Sequence, residues 1–202
     1  MNLSIIKDKI KQNGLTYPKF VNQIEQKINN TITDSLNDEE KHLFEYTKLN
    51  YQRMTRINKT YKINNTLCSL LTKISIPQVW MVITEDWCGD SAQNFPYIYK
   101  FSECNPLITF TVLQRDNNLE VMDLFLTNGT RSIPKLVVFD QNDNILFQWG
   151  ARPKEAQDLV TNWKNEGIPK EEFLEKLHLW YGRNRGKAIE QEFINLLTNQ
   201  IL

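Results

Sequence analysis

The residues best suited to chemistry fall in one turn, Glu85-Asp86-Trp87-Cys88-Gly89-Asp90-Ser91. A short apolar run precedes it and a helical pattern follows, so Cys88 stands at a helix N-terminus. Unpaired amides and the helix dipole favour an anion there, and the thiolate is the nucleophilic form of cysteine. Cysteine's other common use, as a small buried hydrophobe, suits Cys104 and Cys68 better than Cys88. An acid-rich turn between strand and helix is expected at the surface. Glu85, Asp86 and Asp90 oppose ionisation of the thiol. One carboxylate at roughly 7 Å disfavours the thiolate by about 0.6 kcal/mol in water and about 2.4 kcal/mol at an effective dielectric of 20. The helix terminus contributes about 0.3–1 kcal/mol, at most about 2, in the other direction. The two effects nearly cancel, and a hydrogen bond from the Ser91 hydroxyl to the sulfur would favour the thiolate. The alternative role for the acids is helix capping and solubility.

The surrounding pattern supplies the elements that must hold this turn. Gln78–Thr84 is a short apolar run bounded by Pro77 and by acids, and it reads as a buried strand. Residues 89–101 read as a helix with a kink expected at Pro96. A second strand is expected at 107–113 and a second helix at 119–125. Two strands at 135–139 and 145–149, joined by Asp140-Gln141-Asn142-Asp143-Asn144, suit a hairpin, and a helix follows at about 153–164. The order β-α-β-α-β-β-α is an α/β layer architecture.

Before this unit the chain reads as helical. Pro18 suits a first helical position, with Phe20 or Val21, Ile24 and Ile28 on one face. Asn37 followed by Asp38, Glu39 and Glu40 is a helix start. Leu43, Tyr46, Met54, Ile57 and Tyr61 then recur as a packing face. A short helix would carry Leu67, Leu70, Leu71 and Ile74, ended by Pro77. From Pro169 the tail is helical again, with a break at Gly182–Gly186. The basic run Arg183-Asn184-Arg185-Gly186-Lys187 reads as a solvated loop, with contact to an anion as its functional alternative.

Trp87-Cys88-Gly89 after a buried strand, Ser132-Ile133-Pro134 before a hairpin and Gly150 at its end together resemble the thioredoxin superfamily. The similarity spans roughly residues 78–165, and the whole is similar to a bacterial subgroup carrying Trp-Cys-Gly-Asp. The resemblance implies an α/β thioredoxin-like fold, a central mixed sheet flanked by helices. Helical extensions would occupy 1–77 and 166–202, the latter packed on the core. It implies Cys88 as nucleophile, Pro134 as a cis residue beside it, and the Ile133 backbone as a pairing edge for an extended substrate. Trp87, Gly89 and Asp90 would line that site, and Ser91 would assist Cys88.

Two departures bear on mechanism. Ser91 occupies the place of the second cysteine of Cys-x-x-Cys, so internal resolution of a mixed disulfide is lost. Cys104 lies sixteen helical residues from Cys88, roughly 24 Å against a bridgeable limit of about 7 Å. Whether Cys68 folds back toward Cys88 is left open. The acid that the family carries six residues before the nucleophile is replaced by Val82. Monothiol glutaredoxins use a similar Cys-Gly-x-Ser turn, which points to thiol–disulfide exchange completed by an external thiol. The substrate would be a protein disulfide or a low-molecular-weight thiol. No basic residue near the motif is evident to hold a peptide-thiol carboxylate. The competing reading is a binding module that holds an extended peptide by strand pairing and has shed catalysis.

Composition excludes other classes. The chain has 202 residues, with 24 Lys+Arg against 24 Asp+Glu, and a net charge of zero argues against a nucleic-acid partner. No apolar window is long enough for a membrane span. The charged N-terminus does not read as a secretory signal. Three cysteines at these spacings fit neither a disulfide framework nor a zinc site, so a cytoplasmic protein with reduced thiols is expected. His42 and His178 lack ligand partners at metal spacing, and neither a metal nor another cofactor is expected. The zero charge is a sum of unlike parts. Residues 1–77 carry 12 basic and 7 acidic side chains, residues 78–150 carry 4 and 9, and residues 151–202 carry 8 of each. Either the basic N-terminal helices pack near the acidic segment, or partners that reach Cys88 are basic.

Overall fold

The structure, a computed structural model, describes residues 3–201. Four helices come first: α1 (Leu3–Asn13), α2 (Tyr17–Asn30), α3 (Asp38–Thr60) and α4 (Asn65–Leu71). The start of α3 follows from its sequence. Asn37 accepts the Glu40 amide while the Glu40 carboxylate accepts the Asn37 amide, a reciprocal cap. The central unit is β1 (Gln78–Thr84), α5 (Gly89–Ser102), β2 (Ile108–Gln114), α6 (Leu119–Met122), β3 (Lys135–Asp140) and β4 (Ile145–Gly150). Three more helices close the chain: α7 (Lys154–Asn165), α8 (Lys170–Asn184) and α9 (Lys187–Ile201).

The sheet order is β2-β1-β3-β4, with β1 parallel to β2 and the other neighbours antiparallel. This is the mixed sheet flanked by helices that the resemblance implied. Register fixes what meets at the sheet's end. Ile83 of β1 pairs with Lys135, the first residue of β3. The loop entering β3 therefore arrives where β1 delivers the chain to the Glu85–Ser91 turn.

Strand β1 is apolar from Val79 to Ile83, as suits a strand covered on both faces. Trp80 and Val82 face a core with Phe95, Ile98, Phe101 and Phe193, drawn from α5 and α9. Met81 and Ile83 face a second core with Ile6, Val121, Phe125 and Val137. The outer edge of β2 is also covered, since Leu15, between α1 and α2, exchanges both backbone hydrogen bonds with Val112. Helices α7 and α8 pair through Ala156, Val160, Phe173, Leu177 and Tyr181.

Several sequence expectations are corrected. Helix α6 is one turn long, ending at Met122 instead of Phe125. On α3 the buried position is Phe44, at 5 % exposure, while Leu43 is 38 % exposed. The face is rotated because Thr47 and Asn50 also point inward, to a polar partner described below. The expectation of three reduced thiols fails as well. Cys68 and Cys104 form a disulfide with their Cα atoms 5.6 Å apart. Packing of α4 against α5 brings together residues 36 apart in sequence. Cys68 is thereby committed to Cys104 and not to Cys88, which is the free cysteine.

Candidate functional site

Cys88 caps α5, and its sulfur accepts the Ser91 amide at 3.5 Å. The thiol donates to the Ile133 carbonyl at 3.4 Å. The Ile133–Pro134 bond is cis, as is Gly150–Ala151. Gly150 has φ +126°, and a Cβ there would lie 2.0 Å from the Pro134 carbonyl oxygen. Only glycine permits β4 to end so close to the loop carrying Pro134. Cys88, Ile133, Pro134 and Gly150 therefore meet at one end of the sheet.

Burial pushes the Cys88 thiol up to about 11, and the Asp90 carboxylate adds to the effect. The Ser91 hydroxyl and the Ser91 and Asp90 amides act in the opposite direction. Ser91 is buried, and its oxygen accepts the Thr84 hydroxyl at 2.7 Å, which leaves its own proton available to the sulfur. The direction agrees with the weak acidity expected from sequence, and desolvation dominates it.

The acids are not a solvated surface, contrary to expectation. Glu85 and Asp86 are each 7 % exposed. Glu85 accepts the Asp116 amide at 2.7 Å, and burial raises its carboxyl to about 7. Asp86 accepts from Lys27 of α2 at 2.7 Å and from Thr47 of α3 at 3.1 Å. Asn50 donates to the Asp86 backbone carbonyl at 3.0 Å, and Arg53 donates to Asn50 at 2.9 Å. Asp90 accepts Arg152 at 2.5 Å and the Tyr181 hydroxyl at 2.6 Å. Its carboxyl is raised by burial, against the pull of Arg152 and Tyr181.

The remaining motif residues are covered from two sides. Arg115 lies over the Trp87 ring, 4.8 Å from its centroid. A Cβ on Gly89 would lie 2.8 Å from the His178 ring, so glycine lets α8 pack directly on the turn. Burial and the charges of Arg53 and Arg152 push His178 down to about 4, and it stands neutral there. Arg115 and Arg152 also correct the expectation that no basic residue lies near the motif.

Sequence reasoning missed Lys27, Thr47, Asn50, Arg152, His178 and Tyr181, all outside the motif in sequence. Thr47 and Asn50 left a signal, as polar residues interrupting the apolar face of a long helix. The basic N-terminal helices do pack on the acidic segment. Lys7–Asp143, Lys9–Glu120 and Lys27–Asp86 are ion pairs between the two. No group of three His, Cys, Asp or Glu side chains among the described residues could hold a metal ion. No helix among them is long and apolar enough to cross a membrane.

Comparison with known proteins agrees with this architecture. The family described as Thioredoxin matches residues 36–164, beginning well before the turn and taking in α3 and α4. A crystal structure of a protein of unknown function from Pseudomonas aeruginosa superposes with a TM-score of 0.58 at 14 % identity, covering 92 % of this chain and 98 % of that one. An HIV epitope-scaffold gives a TM-score of 0.54 at 16 % identity, covering 83 % and 95 %. No curated protein matches the sequence.

Proposed function

The chain belongs to the thioredoxin family, and from that premise we propose that it carries out monothiol thiol–disulfide exchange through Cys88. The observation that carries this reading is the placement of a free cysteine at the N-cap of α5, 3.4 Å from the Ile133 carbonyl and beside Pro134. The Cys88 thiolate attacks one sulfur of a substrate disulfide, forms a mixed disulfide with it, and releases the other sulfur as a thiolate. With Ser91 in place of a resolving cysteine, a low-molecular-weight thiolate then attacks the substrate-side sulfur. It leaves bonded to that sulfur and returns Cys88 as a thiolate. The external thiol supplies the electrons, and no second cysteine of the chain is consumed.

The second reading, a peptide-binding module without turnover, is favoured by one observation: the thiol is pushed up to about 11. In either case a soluble cytoplasmic setting and a protein or small-thiol partner belong to the proposal. The deciding experiment incubates the chain with glutathione disulfide, read by intact mass with Cys88→Ser as control. Exchange predicts one adduct per chain on Cys88, released by added thiol, absent from the variant, and forming faster across pH 8–10. No adduct at pH 9, with an extended peptide still captured by Cys88→Ser, would establish the binding module instead.

A further inference from the structure

An open cleft runs between α3 and α8 along the side of α5, away from the Ile133–Pro134 loop. It has two lobes of about 360 and 400 Å³ that meet at Arg56 and Gly182. Together they reach the size of a small-molecule site. Arg53, Gln93 and His178 line the first lobe, and Lys62, Tyr97 and Arg185 line the second.

Four cations border this space, counting the shared Arg56, and no carboxylate does. Among the described residues, no ion pair involves Arg53, Arg56, Lys62 or Arg185. The acids just behind the walls are already engaged. Glu190 accepts the Tyr61 hydroxyl and the Asn64 amide, and Asp90 is held by Tyr181 and Arg152. In a chain of zero net charge, this concentration of unpaired cations in a concavity is a local excess. Burial and the nearby Arg56 push Arg53 down to about 10, with Tyr46 acting in the opposite direction. Gly182 is a second, independent feature. It sits within α8, where glycine costs roughly 1 kcal/mol relative to alanine. A Cβ there would meet nothing within 4 Å. Packing does not require the glycine, and its effect is to keep the junction of the lobes open.

We propose that this cleft binds a small anion carrying at least two negatively charged groups, one against Arg53 and Arg56 and the other against Lys62 and Arg185. Diphosphates and polycarboxylates share that chemistry, and planar guanidinium groups suit both. The proposal goes beyond the Cys88 reading and does not rest on it.

Titration calorimetry of the full chain with inorganic pyrophosphate, citrate and inorganic phosphate tests it. We expect one site per chain for pyrophosphate, citrate or both, about tenfold or more tighter than phosphate. The anion that binds tighter identifies the source as phosphate or carboxylate. Arg56→Gln should weaken binding about tenfold or more through loss of a charge-assisted contact. Gly182→Leu, whose Cβ would meet nothing within 4 Å, should block the cleft while circular dichroism stays unchanged. Cys88→Ser should bind like the parent, so failure of the exchange reading leaves this result intact. The proposal is overturned by no saturable binding of either anion, by phosphate binding as tightly as both, or by unchanged affinity in Gly182→Leu.

Discussion

Asp86 and Asp90 flank Cys88 at equal distance in sequence, and opposite ends of the chain hold them. Asp86 is gripped from the N-terminal side, by Lys27 and Thr47, with Asn50 on its backbone. Asp90 is gripped from the C-terminal side, by Arg152 and Tyr181. Lys27 is 47 % exposed, whereas Arg152 is 19 % exposed and its Nε is buried without a partner. The Asp86 clamp is therefore partly wet and forgiving, and the Asp90 clamp is drier and more costly to break. Of the two carboxylates, Asp90 is the one that adds to the effect of burial in raising the thiol. The extensions thus reach the candidate site from both sides: one holds the entry to the turn, and the other holds the first turn of α5.

Breaking the drier clamp should have the largest effect. Asp90→Ala leaves Arg152 and Tyr181 without their acceptor and should cost about 3–5 kcal/mol in urea unfolding. A loss no greater than that of Asp86→Ala would erase the distinction between the clamps. The disulfide anchors the N-terminal side covalently, closing a loop of 36 residues. The double substitution Cys68→Ser with Cys104→Ser should lower stability by about 2–4 kcal/mol. Thiol titration of the denatured parent should find one free thiol per chain. Asp86→Ala should cost less, about 1.5–3 kcal/mol, because water reaches Lys27 and can replace its partner.

The smallest effect concerns Glu85, the acid held by neither clamp. Its folded carboxyl sits near 7 against an ordinary 4.5. Between those values the folded chain keeps a proton that the unfolded chain has lost, so stability falls as pH rises through the window. Glu85→Gln keeps an acceptor for the Asp116 amide and carries no charge. It should match the parent at pH 4.5 and exceed it above pH 7 by on the order of 1 kcal/mol after solvent screening, about 2–4 °C in Tm. His178 runs the opposite way, lowered to about 4, so its contribution is lost as pH falls from 6.5. Both proteins carry His178, and it cancels from the difference in a thermal melt.

Much of the central unit was legible in the residues. The run 78–84 marked β1 to the residue, and Asn37 marked the start of α3, because a strand buried on both faces and a capped helix each leave a local pattern. The acids were read wrongly for an equally physical reason. Charge in a turn says solvent until something distant covers it, and the covering groups come from residues 27 and 47 on one side and 152 and 181 on the other. The disulfide was invisible for the same reason, since spacing along the chain does not report that α4 lies beside the end of α5.

By itself the sequence determined the α/β order, the strand-to-helix position of Cys88 and the absence of a second cysteine from its turn. These follow from patterns within a few residues, where side-chain period and helix-end chemistry act. Tertiary structure alone decided that Cys68 binds Cys104, that Asp86 is buried and Asp90 largely covered with both paired, and that four cations share one open cleft. Each depends on groups tens of residues apart meeting in a medium with little water. There, desolvation and pairing set charge states that no local pattern contains.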